Sequence, residues 1–135
     1  MIKRLLAVVA LTILTCTAVT GASAAKHTIK TQTVQLNPMM SHVAGTATIT
    51  YNSHMGQTTV VLRVMHLTVG THLAHFHTGK CGSNGAVKYP LTPLVGPGTK
   101  TSTTIFTGKL TGTLYINVHG TPKSAMQVVS CGDVK

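Results

Sequence analysis

The chain has 135 residues, of which eleven are Lys or Arg, one is acidic and eight are His, giving a formal net charge of +10. A single carboxylate excludes catalysis by a pair of acidic side chains. Two Phe, three Tyr and no Trp leave few rings to stack on bases, and the lysines are scattered singly, so we expect no nucleic-acid partner. The basic surface favours anionic partners: small anions, acidic polysaccharide or anionic lipid.

The first 24 residues are typical of an export signal. Lys3 and Arg4 precede an apolar run over residues 5–14, and small residues follow. The run is too short to span a bilayer, so we expect no transmembrane segment. Cleavage before Ala25 fits the Ala-x-Ala pattern, and a cut before Lys26 fits nearly as well. The sequence therefore predicts a secreted or periplasmic protein, outside the cytoplasm in either case.

After the signal the sequence predicts an all-β domain. Segments rich in Thr and Val alternate between polar and apolar residues, and clusters of Gly, Asn, Ser and Pro separate them, which is the pattern of short antiparallel strands. The expected strands cover residues 28–36, 45–51, 58–67, 73–78, 87–91, 102–107, 113–119 and 127–131. This number of strands in roughly 110 residues indicates a sandwich or Greek-key β-barrel of about eight antiparallel strands.

The connections between the expected strands are of two kinds. Residues 52–56 and 108–112 are predicted to be hairpin turns, because both are short and contain turn-forming residues: Asn, Ser and Gly in the first and two Gly in the second. Residues 79–85 and 93–100 are predicted to be irregular loops. Loops of this kind usually carry the variable part of a binding site.

Removal of the signal, which contains Cys16, leaves Cys81 and Cys131. In an oxidising compartment an even pair of cysteines is most simply a disulfide. Closing a loop of this length is worth roughly 4 kcal/mol in the chain-entropy description. That is a large share of the stability of so small a domain. Two unpaired buried thiols are the alternative.

Three histidines lie at positions where two predicted strands would expose their side chains on the polar face. His75 and His77 are one residue apart, so on a strand they project from the same face, opposite Phe76. Residues 114–119 place Leu, Ile and Val on one face and His119 on the other. Imidazole suits copper, zinc, iron and nickel, and an all-nitrogen ligand set in an exported protein points first to copper. Solvated or hydrogen-bonded surface histidines are the alternative.

The mature amino terminus is a second candidate copper site. With cleavage before Ala25 the chain begins Ala25-Lys26-His27. The terminal amine, two backbone amides and the imidazole can then form a square-planar four-nitrogen site for Cu(II). Cleavage before Lys26 would remove it.

Four motifs in order resemble the copper/zinc superoxide dismutases over residues 43–134. Residues 70–77, Gly-Thr-His-Leu-Ala-His-Phe-His, are similar to the family's G-x-H-x-x-H-x-H strand, and residues 79–81 are similar to the half-cystine segment that follows it. Residues 115–119 resemble the later strand that ends in a copper ligand. Cys131 and the following Gly resemble the partner half-cystine.

The resemblance implies a superoxide dismutase-like Greek-key β-barrel that binds one copper ion. Its copper ligands would be His75, His77 and His119, with His72 as a structural, hydrogen-bonding histidine. It also implies that the two mature cysteines form one disulfide. On this basis the chain divides into a signal peptide at 1–24, an N-terminal strand and lead-in at 25–42, and the barrel domain at 43–135.

The departures from that family concern the second metal and the substrate. Residues 82–118, where the family supplies its zinc ligands, contain no His, Asp or Glu, so the sequence predicts no zinc. The histidine that bridges the two metals is missing, and Val128 stands where the family has an arginine.

The expected function is therefore a secreted copper protein that reacts with superoxide weakly, and the enzyme assignment stays open. The alternatives are a non-catalytic module for copper sequestration or delivery, and a metal-free structural chordin-type β-barrel. The sequence does not indicate an oligomeric state.

Overall fold

The computed structural model describes residues 26–135, so the predicted signal and Ala25 lie outside it. The described part contains eight antiparallel strands, one short 3-10 turn at Pro122–Ser124 and no α-helix. The strands are β1 Ile29–Pro38, β2 Ala44–Asn52, β3 Gln57–His72, β4 Ala74–Thr78, β5 Val87–Pro90, β6 Leu94–Thr107, β7 Leu114–His119 and β8 Val128–Asp133. The predicted all-β class and number of strands are confirmed.

The strands form one curled sheet, a half-barrel, in the order β5-β4-β7-β8-β1-β2-β3-β6. Long connections place β6 beside β3 and β7 beside β4, as in Greek-key folds. β1 joins the two halves of the sheet: it pairs with β2 from Ile29 to Leu36, but with β8 only at Asn37 and Pro38. The predicted lead-in therefore contributes an integral strand.

Two predicted connections are wrong. Residues 108–112 are not a hairpin turn, because β6 pairs with β3 whereas β7 pairs with β4 and β8. The segment instead crosses from one half of the sheet to the other. Residues 94–100, expected to be loop, extend β6 along β3, and register shifts on either side of Leu67 accommodate them. Bulges of this kind let a strand containing Gly and Pro stay paired.

The core lies between the two halves of the sheet and follows the period-two alternation of the strands. Val60, Leu62 and Val64 of β3 are fully buried, and Phe76 of β4 and Ile116 of β7 meet them from the other half. Because Phe76 points into the core, its two histidine neighbours face the outer side of the sheet.

An aromatic cluster closes the open side between β5 and β6, the two ends of the sheet. The ring of Phe106 lies 5.6 Å from that of Tyr89 and 6.4 Å from that of Phe76, centroid to centroid, with edge-to-face geometry. These are three of the five Phe and Tyr side chains of the chain. The half-barrel is thus joined at this seam by side chains instead of a ladder of backbone hydrogen bonds.

Cys81 and Cys131 form the predicted disulfide, with their Cα atoms 5.9 Å apart. The bridge joins the loop after β4 to β8. The backbone N–H of Cys81 also donates to Oδ1 of Asp133, at 2.7 Å. The loop over residues 79–85 is therefore fixed to the sheet at the point where it covers the outer face of β4.

Candidate metal centre

Two paired strands bring His75, His77 and His119 together on the outer face of the sheet. β4 and β7 are antiparallel neighbours, with His75 opposite Asn117 and His77 opposite Tyr115. His119 lies two residues beyond Asn117, so it shares their face. One ring nitrogen from each histidine lies within 4.8 Å of the other two. We call these three residues the histidine centre.

His77 is the most firmly positioned of the three. Its Nδ1 lies 2.8 Å from the carbonyl oxygen of Gly85, and since a carbonyl only accepts, Nδ1–H donates and Nε2 keeps its lone pair. The Tyr115 ring stacks on the His77 ring at 5.2 Å, and the Tyr115 hydroxyl accepts the backbone N–H of Gly85. The loop that the disulfide holds therefore orients this imidazole.

His119 is positioned through its backbone. Its N–H donates to the carbonyl of Leu73 at 2.8 Å, and its own carbonyl oxygen lies 2.9 Å from Nδ1 of His72. His72 is buried, and its Nε2 lies 3.1 Å from the carbonyl oxygen of Thr68. The structure therefore places His72 beneath the centre, within hydrogen-bond distance of two backbone carbonyls, and not among the converging rings.

The ring nitrogens that converge have no hydrogen-bond partner among the described residues. These are Nδ1 of His75, Nε2 of His77 and both ring nitrogens of His119, and all are inaccessible to solvent. Buried polar atoms are normally satisfied, and those left over often mark an ion or a water. Three imidazoles without a carboxylate or a thiolate form the kind of donor set that first-row transition metals accept.

The protonation states favour such an ion. Burial lowers the pKa of the His75 imidazole below its ordinary value, and proximity to His119 and His77 lowers it further. Burial also lowers the pKa of His119, proximity to the Ala125 backbone raises it in part, and proximity to His77 lowers it further. Neutral imidazole is the form that binds metal ions.

Asn117 is a polar residue of this face that the sequence reasoning missed. It lies directly opposite His75, is buried, and its Oδ1 has no partner in the described part of the chain. The alternation of β7 could have predicted its place on this face, because Asn117 lies two residues before His119 and a strand puts such residues on the same side.

The predicted amino-terminal copper site cannot be assembled from the described residues, because Ala25 lies outside them. His27 packs its ring edge-on against His54, with centroids 4.3 Å apart. The site at Ala25, Lys26 and His27 stays a prediction that depends on where the signal is cut.

The model of the CHRD domain family matches residues 25–126. The chain belongs to the CHRD domain family. This domain is a β-sandwich found in chordin-like proteins, and CHRD domains occur in extracellular or secreted proteins. Neither the curated proteins nor the solved structures contain a significant match. In the described residues of this CHRD domain, no helix has the length and apolar character that crossing a bilayer requires.

The CHRD match corrects the resemblance to the copper/zinc superoxide dismutases, which is wrong. The description of the chain as a superoxide dismutase-like protein is therefore wrong, and so is copper binding as inferred from that resemblance. The motifs misled because an H-x-H strand, a later strand ending in His and a pair of half-cystines are short patterns that unrelated disulfide-closed β-domains can share. The missing bridging histidine, zinc ligands and arginine were the signals against it.

Proposed function

We propose that this CHRD domain is an exported structural module, a chordin-type β-barrel without dismutase activity. The family match over residues 25–126 is the observation that carries this proposal, and it favours the chordin-type alternative over the dismutase interpretation. The architecture agrees with a structural role, because the disulfide and the aromatic seam hold the sheet without a ligand. The single acidic side chain, Asp133, accepts a backbone hydrogen bond from Cys81.

Stability without metal and superoxide consumption test this proposal together. We expect the oxidised protein, stripped with a chelator, to keep its β-sheet circular dichroism and to unfold cooperatively. We also expect the copper-loaded protein to consume superoxide no faster than the His75→Ala/His119→Ala variant loaded in the same way. Superoxide consumption that the double variant abolishes would contradict the proposal, and so would unfolding of the chelated protein.

A second candidate function rests on a separate observation, the unpartnered nitrogens of the histidine centre. We propose that this centre binds one first-row transition-metal ion through His75, His77 and His119, with His77 contributing Nε2. Bound metal would give the barrel a further brace between β4 and β7. The cofactor prediction from the sequence, one copper ion and no zinc, stays a prediction within this class.

Metal binding can be measured through thermal unfolding. At a free metal concentration of about 100 Kd, binding to the folded state alone adds about 2.7 kcal/mol of stability. For a domain of this size that raises Tm by roughly 10 °C. We expect Cu²⁺ or Ni²⁺ to produce such a rise, with one ion bound per chain. His77→Ala should abolish it, whereas His66→Ala, at an exposed position, should retain it. Equal responses from the two variants would contradict the site.

A further inference from the structure

The interior face of the barrel becomes polar towards one end. On β1 the alternation places Leu36, Val34, Gln32 and Lys30 on the same face, and the first two are buried in the core. Lys30 lies opposite Tyr51 of β2 in the sheet register, and the Tyr51 side chain is half-buried. A lysine therefore occupies a position that the strand pattern assigns to the inside of the barrel.

The crossover between β6 and β7 closes over this end. Thr58, which is buried, donates from its hydroxyl to the carbonyl of Gly108 at 2.7 Å, and the N–H of Gly108 donates to the carbonyl of Gly56 at 2.6 Å. These bonds fix the start of the crossover, so that Lys109 lies over the opening. The cleft is lined by Lys30, Gln32, Tyr51, Lys109 and Lys135, together with Ile49 and Leu110, and has a volume of about 330 Å³. We call it the barrel mouth.

The lining of the barrel mouth contains three lysines and no Asp or Glu. Lys30, Lys109 and Lys135 make no hydrogen bond or ion pair with other described residues, whereas Lys88 nearby donates to the carbonyl of Thr111. Three unpaired ammonium groups around one concave site attract an anion more strongly than the same charges spread over a surface.

The remaining lining narrows the chemistry of that anion. Tyr51, Ile49 and Leu110 offer an aromatic ring and apolar surface, and the Gln32 amide can both donate and accept. The mouths of β-barrels commonly bind small ligands, in clefts of about 300–1,000 Å³. A sugar ring has apolar C–H faces and hydroxyl groups, and a carboxylate or sulfate on it would meet the lysines.

We propose that the barrel mouth binds an acidic saccharide, through Lys30, Lys109 and Lys135 on its anionic group and Tyr51 on its ring. This goes beyond the structural role, because it would attach the module to an acidic polysaccharide. It is independent of the histidine centre. The competing explanation is that Lys30 blocks edge-to-edge pairing, since β1 has no β8 partner before Asn37 and inward-facing charges protect exposed edges.

Calorimetric titration with defined oligosaccharides tests the proposal. The probes are an oligomer of galacturonic acid, a sulfated oligosaccharide, a neutral glucose oligomer and inorganic sulfate, each at physiological ionic strength. The full mature protein is compared with the Lys30→Gln/Lys109→Gln variant and with a matched control, Lys80→Gln/Lys123→Gln, which removes the same charge elsewhere. Thermal unfolding verifies that each variant is folded.

We expect an acidic oligomer to bind and the neutral one not to. The mouth variant should raise the Kd by about tenfold or more and the control by less than about threefold, because only the former removes contacting charges. Tyr51→Leu should weaken binding of the saccharide but not of inorganic sulfate. Equal weakening by both double variants, or equal binding of the neutral oligomer, would overturn the proposal. Unchanged affinity with self-association of the mouth variant would overturn it too, and would assign Lys30 to edge protection.

Discussion

At the scale of single residues, Gly85 couples the disulfide-held loop to the histidine centre. Gly85 accepts a hydrogen bond from His77 Nδ1 and donates its N–H to the Tyr115 hydroxyl. A Cβ atom at this position would overlap the carbonyl oxygen of Thr78, so no side chain fits there. The orientation of one imidazole thus depends on a glycine eight residues further along the chain.

Gly85→Ala should therefore destabilise the protein and disturb the centre together. Overpacking of this kind costs about 1–3 kcal/mol, because backbone must move. Urea unfolding measures that loss, and the loss of the metal-induced rise in Tm measures the displacement of His77. Ala86→Ser, at the exposed neighbouring position, is the control and should change neither. Wild-type behaviour of the glycine variant would show that the loop does not position His77.

The histidine centre should also make the metal-free protein less stable in acid. The pKa values of His75 and His119 are lowered in the folded state, so below the ordinary imidazole pKa of about 6.5 the unfolded chain binds more protons than the folded chain. Stability is then fully present above that pH and falls as the pH drops through it. Urea unfolding from pH 7.5 to pH 5 in the presence of a chelator measures the slope. His75→Asn/His119→Asn should flatten it more than His54→Asn, and equal slopes would contradict the assignment.

At the level of elements, the seam between β5 and β6 is held by the Phe76, Tyr89 and Phe106 cluster and by Thr92, whose N–H donates to Oγ1 of Thr104 at 2.8 Å. The two edge strands, β5 and β6, do not pair with each other. These side-chain contacts therefore decide whether the half-barrel stays closed. Phe76 is fully buried, whereas Phe106 and Tyr89 are only partly covered.

Phe106→Ala should open this seam. Removing the ring should cost about 3 kcal/mol, towards the lower end of large-to-small core substitutions because the side chain is partly exposed. Ile105→Ala, whose side chain is 61% exposed on the opposite face, should change stability by less than about 0.5 kcal/mol. Urea unfolding gives both values, and hydrogen exchange should rise first in β5. A loss confined to β6, with β5 unaffected, would show that the cluster does not join the two strands.

For the whole molecule, the disulfide is the strongest single constraint on the unfolded chain. Cys81 and Cys131 are separated by 50 positions, and the bridge closes most of the second half of the barrel into one loop. Cys81→Ser/Cys131→Ser should lower the free energy of unfolding by roughly 4 kcal/mol through the entropy regained by the unfolded chain. The urea midpoint measures this, with the reduced wild type as the matched comparison. An unchanged midpoint would mean that packing alone holds the loop.

Much of the barrel could be predicted because its signals are local. The alternation of Val60, Leu62 and Val64 with polar neighbours marks β3 whatever it pairs with, and a period of two residues puts His75 and His77 on one face in any strand. The crossover at 108–112 and the extension of β6 through Gly96 were mispredicted, because short Gly-rich and Pro-rich segments look alike whether they turn, cross or stay paired.

The sequence by itself determined the strand class, the available cysteine pair and the shared face of two histidines, since each follows from neighbouring residues or from composition. Only the tertiary structure decided that His119 meets that pair, that Asn117 joins them, and that Lys30 meets Lys109 and Lys135 at the barrel mouth. These residues are far apart in the chain, and their distances depend on which strands become neighbours. Strand order is set by the packing of the whole sheet, which no local pattern encodes.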